Sequence, residues 1–464
     1  MASLSLPIHS YQLRSAQAST SRLVNCYVEQ LPPDAKTPMI LTRAPGLSSW
    51  AEVGTGTIEG MHTDHGLLYV VAGGGFYSVT SAGTATFRGA VGSSTEIDMD
   101  SSDTSVVIVS PSNAYYFTPG SSTFAAISDA DFTTRGAGDV EFMDGYMLFR
   151  EPSSARFFAS DLNSVTAYDA LQFATAEGAS DDLVGMKVDH RQVFLAGEKS
   201  CELWENTGAS GFPFERMVNG FIELGCLNGK SIAKLDNSIF FVASDYTVRR
   251  LDGLTPARIS THAIEQWLKD TVTLASLRGS SWTQDGHLNY MLRADEGCFI
   301  YDATTQLWHE RNTYQEASWN WGNPVMFAGM VLVGSTTSNV IAKLDPAVYT
   351  ELSETLRMEC AFQPVYSEGA RAYHERLEVL TERGVGNTNA PGDDPEILLD
   401  FSDDGGRTFF SLPNRKIGKI GKYAQRCSWN ALGSSDHRVY RLSVSDPVKL
   451  TIVDTQLTVR GGRV

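Results

Sequence analysis

A short phrase that recurs seven times, with a period near forty residues and strand-like rather than helical composition, predicts an all-β fold. We expect a β-propeller of six or seven blades, with an extended N-terminal strap and a small C-terminal β domain. In each copy a polar turn precedes a run of apolar and β-branched residues, and the spacings between first residues are 39, 41, 45, 47, 49 and 43. A four-stranded blade cannot bury both faces alone, so the repeat predicts a rigid disc and not a catalytic pocket. The copies begin at Asp64, Asp103, Asp144, Asp189, Asp236, Asp285 and Ala328.

The repeats divide the chain into three predicted regions. Residues 1–57 are polar and Pro-rich, which favours an extended strap with a few strands. Residues 58–350 carry the repeats and form the predicted propeller, and residues 351–464 break the period and form the predicted C-terminal domain, a sandwich or barrel. The seventh copy lacks the Asp, so the blade count stays open, and the first strands of the chain are candidates to close the ring.

Individual elements follow from local patterns. Within the first copy we expect strands at Leu67–Ala72, Gly75–Val79 and Thr84–Arg88, separated by Gly-rich turns. The segment Ser260–Lys269 has apolar residues at helical spacing, and we expect a helix there, packed on a face of the disc. In the last region, we expect a loop at Gly384–Pro395 and strands at Glu396–Phe401, Arg438–Val444 and Lys449–Val459.

Composition sets the protein class. Hydrophobic residues make up 42% of the chain and charged residues 20%, as in a globular protein with a core. No run of eighteen apolar residues occurs, and the N-terminus lacks the features of a secretory signal. The six cysteines are scattered singly, which predicts reduced, mostly buried thiols in a protein made in a cytoplasm.

The formal net charge of −17 is unevenly distributed. Residues 1–350 carry a net charge of −16, whereas residues 351–464 carry −1. An acidic surface repels phosphate, so the repeat region is not expected to bind tightly to the outside of DNA, although DNA can pass nearby. The simpler interpretation is that this charge only keeps a large domain soluble.

Motifs of catalysis and cofactor binding are incomplete. Gly225–Ser231 resembles a phosphate loop, but has three residues between its glycines instead of four and precedes strands instead of a helix. Gly54–Gly60 likewise misses the dinucleotide-binding spacing. His62 and His65 have no cluster of further metal ligands nearby in the sequence, and no Gly-x-Ser-x-Gly motif occurs. The sequence therefore predicts no enzyme, no cofactor and no metal.

Two features of the last region leave alternatives open. Ser402–Phe409 fits an Asp-box hairpin, in which an Asp caps backbone N–H groups and an aromatic residue enters the core. Asp boxes occur in sialidases but are structural there too. A basic stretch follows, which is either a solvated strand face or a contact for a partner or DNA; its candidates are Arg415, Lys416, Lys419 and Lys422.

Several phrases together resemble one known family. The opening phrases Arg22–Glu29 and Thr42–Leu47 are similar to the start of the packaged-DNA stabilisation proteins of short-tailed phages, also called tail hub or nozzle proteins. Further similar phrases, in the same order, are Asp169–Glu177, Glu198–Gly208, Ile222–Cys226, Arg258–Glu265, Tyr301–Asp302 and Trp308–Glu310. The residues in these phrases that we assign to structure or assembly are Arg22, Asn25, Tyr27, Glu29, Pro45, Gly46, Leu47, Glu177, Trp204, Gly225, Cys226, Ser260, Thr261, His262 and Glu265.

The resemblance implies a virion protein that joins the tail below the portal and adaptor after genome packaging. It implies a homo-hexameric ring that retains the DNA and later conducts it, with portal, adaptor and distal needle or tailspike proteins as partners and no membrane contact. The family has no catalytic residues to transfer. We further expect part of the acidic charge to face the DNA path, and the nearly neutral C-terminal domain, in which no similar phrase occurs, to contact tail partners.

Two other functions are compatible with a propeller. One is a glycan-binding or glycan-hydrolysing protein of sialidase type, suggested by the Asp box and by Trp319 and Trp321, which we expect to be exposed. A sialidase needs an arginine cluster at the channel mouth, and the only close group in the repeats is Arg249, Arg250 and Arg258. The other is a monomeric adaptor, which would not self-associate.

Overall fold

The computed structural model describes residues 2–12, 15, 18–94, 96–111, 113–366 and 370–461. The remaining positions, some in each of the three predicted regions (1–57, 58–350 and 351–464), lie outside the described residues. Within the described part, strands dominate and the only α-helices are two short ones. The N-terminal region supplies six strands: β1 (Ala2–Ser3), β2 (Tyr11–Gln12), β3 (Thr20–Val24), β4 (Cys26–Gln30), β5 (Met39–Arg43) and β6 (Gly46–Glu52).

Seven four-stranded antiparallel blades follow, and their first strands contact one another around a central channel. The predicted propeller is therefore confirmed, with seven blades in the described residues. Blades 1 to 3 are β7 (Ile58–Asp64), β8 (Leu67–Ala72), β9 (Gly75–Val79) and β10 (Ala85–Ala90); β11 (Asp98–Ser101), β12 (Val106–Ser110), β13 (Asn113–Thr118) and β14 (Thr123–Ala126); then, after helix α1 (Ala130–Arg135), β15 (Asp139–Met143), β16 (Tyr146–Arg150), β17 (Arg156–Ser160) and β18 (Tyr168–Thr175).

Blades 4 to 7 continue the pattern, and the last takes its fourth strand from the N-terminal region. Short 3-10 helices at Gly229–Ser231 and Leu274–Ser276 precede blades 5 and 6. The strands are β19 (Leu183–Asp189), β20 (Gln192–Gly197), β21 (Cys201–Asn206) and β22 (Phe214–Ile222); β23 (Ala233–Leu235), β24 (Ser238–Val242), β25 (Val248–Asp252) and β26 (Thr255–Arg258); then, after helix α2 (His262–Asp270), β27 (Arg278–Gln284), β28 (His287–Ala294), β29 (Gly297–Asp302) and β30 (Leu307–Glu310); and β31 (Trp321–Phe327), β32 (Met330–Ser335) and β33 (Val340–Asp345).

The repeated phrase is the hairpin between the first two strands of every blade. In six of the seven copies two consecutive turn residues have positive φ, for example His65 at 51° and Gly66 at 72°. Two such residues define the type I′ turn, whose twist matches that of the flanking strands. The apolar run after each turn is the second strand, which is buried on both faces, as in β12 and β24.

Strand β6 closes the ring. It pairs antiparallel with β33, from Gly46 opposite Asp345 to Glu52 opposite Val340. Of the described N-terminal strands, which the sequence offered as candidates to close the ring, β6 thus completes the last blade, whereas β3, β4 and β5 join the sandwich. This pairing locks the circle because the two ends of the propeller are joined by main-chain hydrogen bonds.

The last region forms a β-sandwich that includes N-terminal strands. The strands after the propeller are β34 (Thr350–Glu351), β35 (Glu354–Thr355), β36 (Met358–Ala361), β37 (Val365–Tyr366), β38 (Ala372–Thr381), β39 (Glu396–Ser402), β40 (Phe410–Ser411), β41 (Arg415–Lys416), β42 (Cys427–Asn430), β43 (Ser434–Ser435), β44 (His437–Val444) and β45 (Thr451–Gly461). One sheet has the order β4-β5-β45-β38-β42 and the other β3-β36-β44-β39-β40, with the apolar core between them. Strand β3 also meets β30, so blade 6 and the second sheet of the sandwich form one continuous twelve-stranded sheet.

Helix α2 lies between blades 5 and 6 and packs on the propeller, as predicted. Its residues Ile264 and Leu268 are buried with Phe240, Tyr290 and Trp308 in one apolar cluster. All six cysteines are free and buried, in agreement with the sequence analysis.

Candidate functional site

Asn25 lies at the bend where the chain leaves one sheet of the sandwich and enters the other. Its φ of 54° is in the left-handed region, which Asn tolerates better than most residues. The buried side-chain amide donates to the carbonyl oxygens of Asn312 (3.1 Å) and Arg357 (2.8 Å), and its oxygen accepts from the Asn312 N–H (3.2 Å). One side chain therefore ties the N-terminal region both to the segment after blade 6 and to the start of the sandwich.

A ladder of alternating charges crosses the continuous sheet beside Asn25. Arg22 on β3 pairs with Glu310 on β30 at 2.7 Å and with Glu359 on β36 at 3.8 Å. Arg441 on β44 in turn pairs with Glu359 at 4.0 Å and with Asp400 on β39 at 2.8 Å. The Glu310 carboxylate raises the pKa of the Arg22 guanidinium. The five side chains connect five strands from the propeller to the far side of the sandwich sheet, and we call them the junction ladder.

Tyr27 joins the other sandwich sheet to blade 6. Its ring meets His287 edge-on, with centroids 4.8 Å apart. The His287 Nδ1 lies 2.7 Å from Asp302 Oδ2, and this hydrogen bond raises the pKa of His287. The ring of His309 is tilted against that of Tyr27, with centroids 6.1 Å apart, and burial lowers the pKa of His309 to about 4. Glu29, two residues along β4 from Tyr27, pairs through its backbone with Ile40.

The second phrase of the family resemblance, Thr42–Leu47, fixes the start of the closing strand β6. The Pro45 carbonyl accepts a hydrogen bond from Arg311 at 2.7 Å. A Cβ atom on Gly46 would lie 2.4 Å from the carbonyl oxygen of Thr350, so only glycine fits there without a shift. Leu47 is buried in the core between blades 6 and 7. These residues place β6 against blade 7 while its neighbour β5 belongs to the sandwich.

The prediction that Trp319 and Trp321 are exposed was wrong. Both are buried: 0% of the surface of Trp319 and 5% of that of Trp321 is exposed to solvent. The Trp319 indole N–H donates to Glu351 at 2.6 Å, and the Arg311 guanidinium lies 4.1 Å from its ring centroid. The sequence did not indicate this burial, because the side chains that contact Trp319, Arg311 and Glu351, lie outside its own local segment.

Residues of the blade 4 phrases are mostly structural in this fold. Trp204 is buried and donates to Glu202 at 2.8 Å. Gly225 packs so closely that a Cβ atom would lie 2.1 Å from the Glu198 carbonyl oxygen, and the Cys226 N–H donates to Gly197 at 2.8 Å. Glu177, by contrast, is exposed on the connection between blades 3 and 4.

The phrase before helix α2 forms the start of that helix. Thr261 is the N-cap residue, and His262, which is largely exposed, is the first helical residue. The Ser260 hydroxyl donates to Glu265 at 2.6 Å, and Arg258 pairs with the same carboxylate at 2.7 Å. These bonds fix the end of blade 5 to the helix.

Ion pairs line the central channel of the propeller. The channel contains a cavity of about 840 Å³, and in its wall Lys230 pairs with Asp139 at 2.9 Å. Arg150 contacts the same carboxylate at 2.5 Å; burial opposes its ionisation, but the two cations hold the pKa of Asp139 at about 2. Glu141 pairs with Lys187 of the next blade. A cavity of this size suits a small molecule at most, so duplex DNA has no path through a single propeller.

Carboxylates on the innermost strands also connect neighbouring blades. Asp98 accepts from the Val140 N–H at 3.1 Å, Asp100 from the Phe142 N–H at 2.6 Å and Glu141 from the Val188 N–H at 3.0 Å. Each bond joins the first strand of one blade to the first strand of the next. Part of the acidity of the repeat region therefore holds blades together.

The Asp box forms the predicted hairpin, with one difference. Asp404 accepts from the backbone N–H groups of Arg407 (2.9 Å) and Thr408 (3.0 Å), and its hydrogen bonds with Thr408 and Ser402 hold its pKa well below the ordinary range. Phe409 does not enter the core: it is half-buried, and the Arg441 guanidinium lies 3.9 Å from its ring centroid. The motif therefore supports the sandwich end of the junction ladder.

The basic candidates are partly neutralised by their own domain. Lys416 pairs with Asp394, and Lys419 pairs with Asp393 at 3.5 Å. Arg415 donates to the Ser428 carbonyl at 2.8 Å. The Lys422 backbone N–H donates to Lys419, closing a tight turn, and its side chain is exposed.

The arginines that a sialidase would need are engaged elsewhere. Arg249 pairs with Asp245 at 2.9 Å, Arg250 with Asp236 at 3.0 Å, and Arg258 with Glu265. Across the described ranges, no group of three His, Cys, Asp or Glu side chains is arranged to hold a metal ion. No helix in the part of the chain that the structure describes is long and apolar enough to span a bilayer.

Sequence reasoning missed the C-terminal half of the junction. Glu359, Asp400 and Arg441 lie in the region without family phrases, and no local motif marks them. The usable signal was the alternation of polar and apolar residues in each strand, which predicts one outward face. It does not reveal that this face continues from blade 6.

Two family models match the chain in tandem. Residues 6–349 match the family described as bacteriophage P22 Gp10, beta-propeller. Residues 357–460 match bacteriophage P22 Gp10, beta-sandwich. No curated protein sequence matches the chain.

Solved structures similar to the chain share few of its residues. Streptogramin B lyase is 9% identical, with a TM-score of 0.43, over 69% of this chain and 97% of that one. The Pan2 WD40 domain of Neurospora crassa is 9% identical, with a TM-score of 0.43, over 65% and 96%. The extracellular domain of BT4673 from B. thetaiotaomicron is 11% identical, with a TM-score of 0.44, over 82% and 54%. These similarities are too low to bear on function.

Proposed function

The chain belongs to the bacteriophage P22 Gp10 family, and from this premise we propose that it forms a ring in a phage tail, below the portal and adaptor. The family supports a structural tail protein of the virion. In our proposal the ring is a homo-hexamer that retains packaged DNA and conducts it during ejection. It is assembled in the bacterial cytoplasm, without an enzymatic step, and also contacts the distal needle or tailspike proteins.

The observation that carries the proposal is the tandem match of both family models to a chain whose two domains share one sheet. A ring that closes over packaged DNA needs subunits that keep their shape under load. The junction ladder and Asn25 hold the sandwich at a fixed angle to the propeller, which suits such a subunit.

The DNA path in this proposal runs between subunits. The propeller channel contains only a cavity of about 840 Å³ lined by ion pairs, so in this proposal the duplex passes through the hole that the ring encloses. Duplex DNA carries a charge about every 1.7 Å of its axis, and an acidic or neutral wall would let it slide without being held. The net charge of −16 on residues 1–350 supports this role.

Imaging the protein mixed with a portal–adaptor complex by electron microscopy tests the ring. We expect a closed ring of six copies on the complex, with a central opening wide enough for duplex DNA. A monomer that stays free, or that binds as a single copy, would contradict the proposal and favour a monomeric adaptor.

Ejection kinetics test the sliding surface separately. Once the ring is imaged, several acidic residues that face its opening are changed to Lys. We expect slower DNA ejection, because phosphates would then be attracted to the wall. Unchanged kinetics would contradict the proposed role of the acidic wall, but would not contradict the proposed ring.

A further inference from the structure

The sandwich ends in a small surface that is both basic and apolar. Ile420 is 58% exposed and Tyr423 is 69% exposed, which is unusual for residues of this size. Lys422 and Lys419, which also pairs with Asp393 at 3.5 Å, flank them. The hydrogen bond from the Lys422 N–H to the Lys419 carbonyl makes the turn that presents all four side chains. We call Lys419, Ile420, Lys422 and Tyr423 the sandwich tip.

The tip has a defined shape. A Cβ atom on Gly384 would lie 2.7 Å from the Tyr423 ring, so the ring rests directly on the Gly384 backbone. The Arg383 guanidinium reaches the Tyr423 carbonyl at 3.4 Å. The exposed ring is therefore supported from below, and binding a partner would cost little ordering entropy.

A surface of opposite character lies on the propeller. Residues 161–224, in blades 3 and 4, contain eleven acidic and four basic residues. Between these blades is a groove of about 500 Å³, walled by the small residues Ala155, Ala176 and Gly178 and by the carboxylates of Glu177, Asp181 and Asp182. We call it the acidic groove.

We propose that the sandwich tip of one copy docks into the acidic groove of a second copy. Small side chains leave room for the Tyr423 ring, and the surrounding carboxylates meet Lys419 and Lys422. This contact rests on the ring proposed above and names the surfaces that would build it.

Within one chain, the sandwich tip and the acidic groove belong to parts of the fold that do not share a sheet. The sandwich is attached through blades 6 and 7, by β3 beside β30 and by the chain that runs from β5 into β6. The groove lies between blades 3 and 4, and both surfaces are exposed in the single chain. Docking of unlike surfaces on identical copies is a head-to-tail contact, and repeated contacts of this kind close into a ring when the rotation allows.

The contact is expected to be weak by itself. A turn of four residues in a groove buries less area than a stable interface, which needs about 1,000 Å². Its charges are exposed to solvent, so salt screens them, with a Debye length of about 10 Å at 0.1 M. Self-association should therefore be stronger at low salt and strongest on a portal–adaptor complex.

Charge reversal on each side, alone and together, tests the pairing. The tip variant is Lys419→Glu with Lys422→Glu, and the groove variant is Glu177→Lys with Asp182→Lys. We expect each to weaken self-association about tenfold in sedimentation velocity at low salt, and to reduce ring formation on the portal–adaptor complex. Combining all four changes in one chain should restore both, because attraction returns with the signs exchanged.

A matched control separates this contact from overall charge. Lys36→Glu with Lys269→Glu makes the same charge change as the tip variant, at exposed lysines outside both surfaces. We expect it to assemble like the unchanged protein. Equal weakening by tip variant and control would overturn the proposal, as would a four-residue exchange that restores nothing.

Disulfide trapping supplies a second measurement that does not depend on affinity. With Tyr423→Cys and Ala179→Cys in the same chain, on the complex with portal and adaptor, oxidation should give covalent oligomers. Each single variant should give only monomers, since the six native cysteines are buried. Monomers alone from the double variant would overturn the contact.

The outcomes distinguish this inference from the function on which it rests. If the unchanged protein forms no ring, the proposed function fails and the contact with it. If the ring forms and both surface variants leave it unchanged, only the contact fails. If the tip variant loses affinity for DNA in a gel-shift assay but keeps its assembly, the tip contacts nucleic acid and the proposed pairing is wrong.

Discussion

Single side chains carry much of the connection between the two domains. Asn25 takes a backbone angle that few residues accept and uses its amide to join segments that are about 290 and 330 positions away in sequence. Arg22 sits at the point where blade 6 meets the sandwich. Both were selected from the sequence by resemblance alone, and their packing now gives a physical reason for those residue types.

Replacing Asn25 tests that reason. Asn25→Ala removes four hydrogen bonds of a buried side chain and leaves a residue with a Cβ, but no side-chain amide, at a φ of 54°. We expect a loss of about 3 kcal/mol in the free energy of unfolding, measured with denaturant. Asn25→Gly removes the same bonds but tolerates the angle, so it should cost about 1 kcal/mol less. Equal losses would mean that the backbone angle is not strained.

The buried imidazole of His309 predicts a pH dependence. Burial lowers its pKa from 6.5 to about 4, so the folded chain stays neutral where the unfolded chain binds a proton. Stability should fall as the pH drops from 6.5 to 4, by about 3 kcal/mol from this group. His309→Phe keeps an aromatic ring at this position. In this variant, the Tm measured between pH 6.5 and 4 should change less with pH than in the unchanged protein. Burial also lowers the pKa of His374 to about 4 and lowers the pKa values of His9 and His62, so these groups contribute to the slope that remains.

At the scale of elements, local sequence patterns predicted where strands lie, but not which strands pair with each other. Strands β8 and β9 have the predicted bounds, and Thr84–Arg88 is displaced only to Ala85–Ala90, because turn residues and apolar runs are local signals. The division of the N-terminal strands between blade 7 and the sandwich could not be predicted, since pairing over 300 residues leaves no local trace. The burial of Trp319 was missed because it depends on contacts with Arg311 and Glu351, which lie outside its own local segment.

The closing strand β6 offers a test at this scale. In Gly46→Ala the new methyl group would lie 2.4 Å from the Thr350 oxygen and 2.6 Å from the Val348 oxygen. We expect a loss of about 1–3 kcal/mol and a lower Tm, because the end of blade 7 must shift. Gly120→Ala is the matched control, since nothing lies within 4 Å of its Cβ position. A Tm that falls equally in both variants would contradict a specific role for Gly46.

At the scale of the molecule, the continuous sheet makes propeller and sandwich one mechanical body. Blade 6 continues through β3 into the sandwich, and the junction ladder lies across the strands that they share. The sequence divided the chain at residue 350 because the repeat period ends there. The boundary in space is less sharp, since strands from before the propeller complete the domain after it.

This continuity predicts one cooperative unfolding transition in calorimetry. Glu359→Ala removes the centre of the junction ladder, which contacts Arg22, Arg357 and Arg441, and should lower the Tm of this single transition. The pairs are partly exposed, so we expect a loss of only about 1 kcal/mol. Glu382→Ala, which removes an exposed pair with Lys449, should leave the Tm nearly unchanged. Two transitions in the unchanged protein would contradict the shared body.

The pairing of the first strand with the last has a consequence for synthesis in the cell. Ala2 lies opposite Leu457, and β5 lies opposite Thr451 and Ile452. During synthesis β1 and β5 must therefore wait for residues 451–457 before these edges are covered. A copy that terminates before residue 451 would keep those strand edges unpaired.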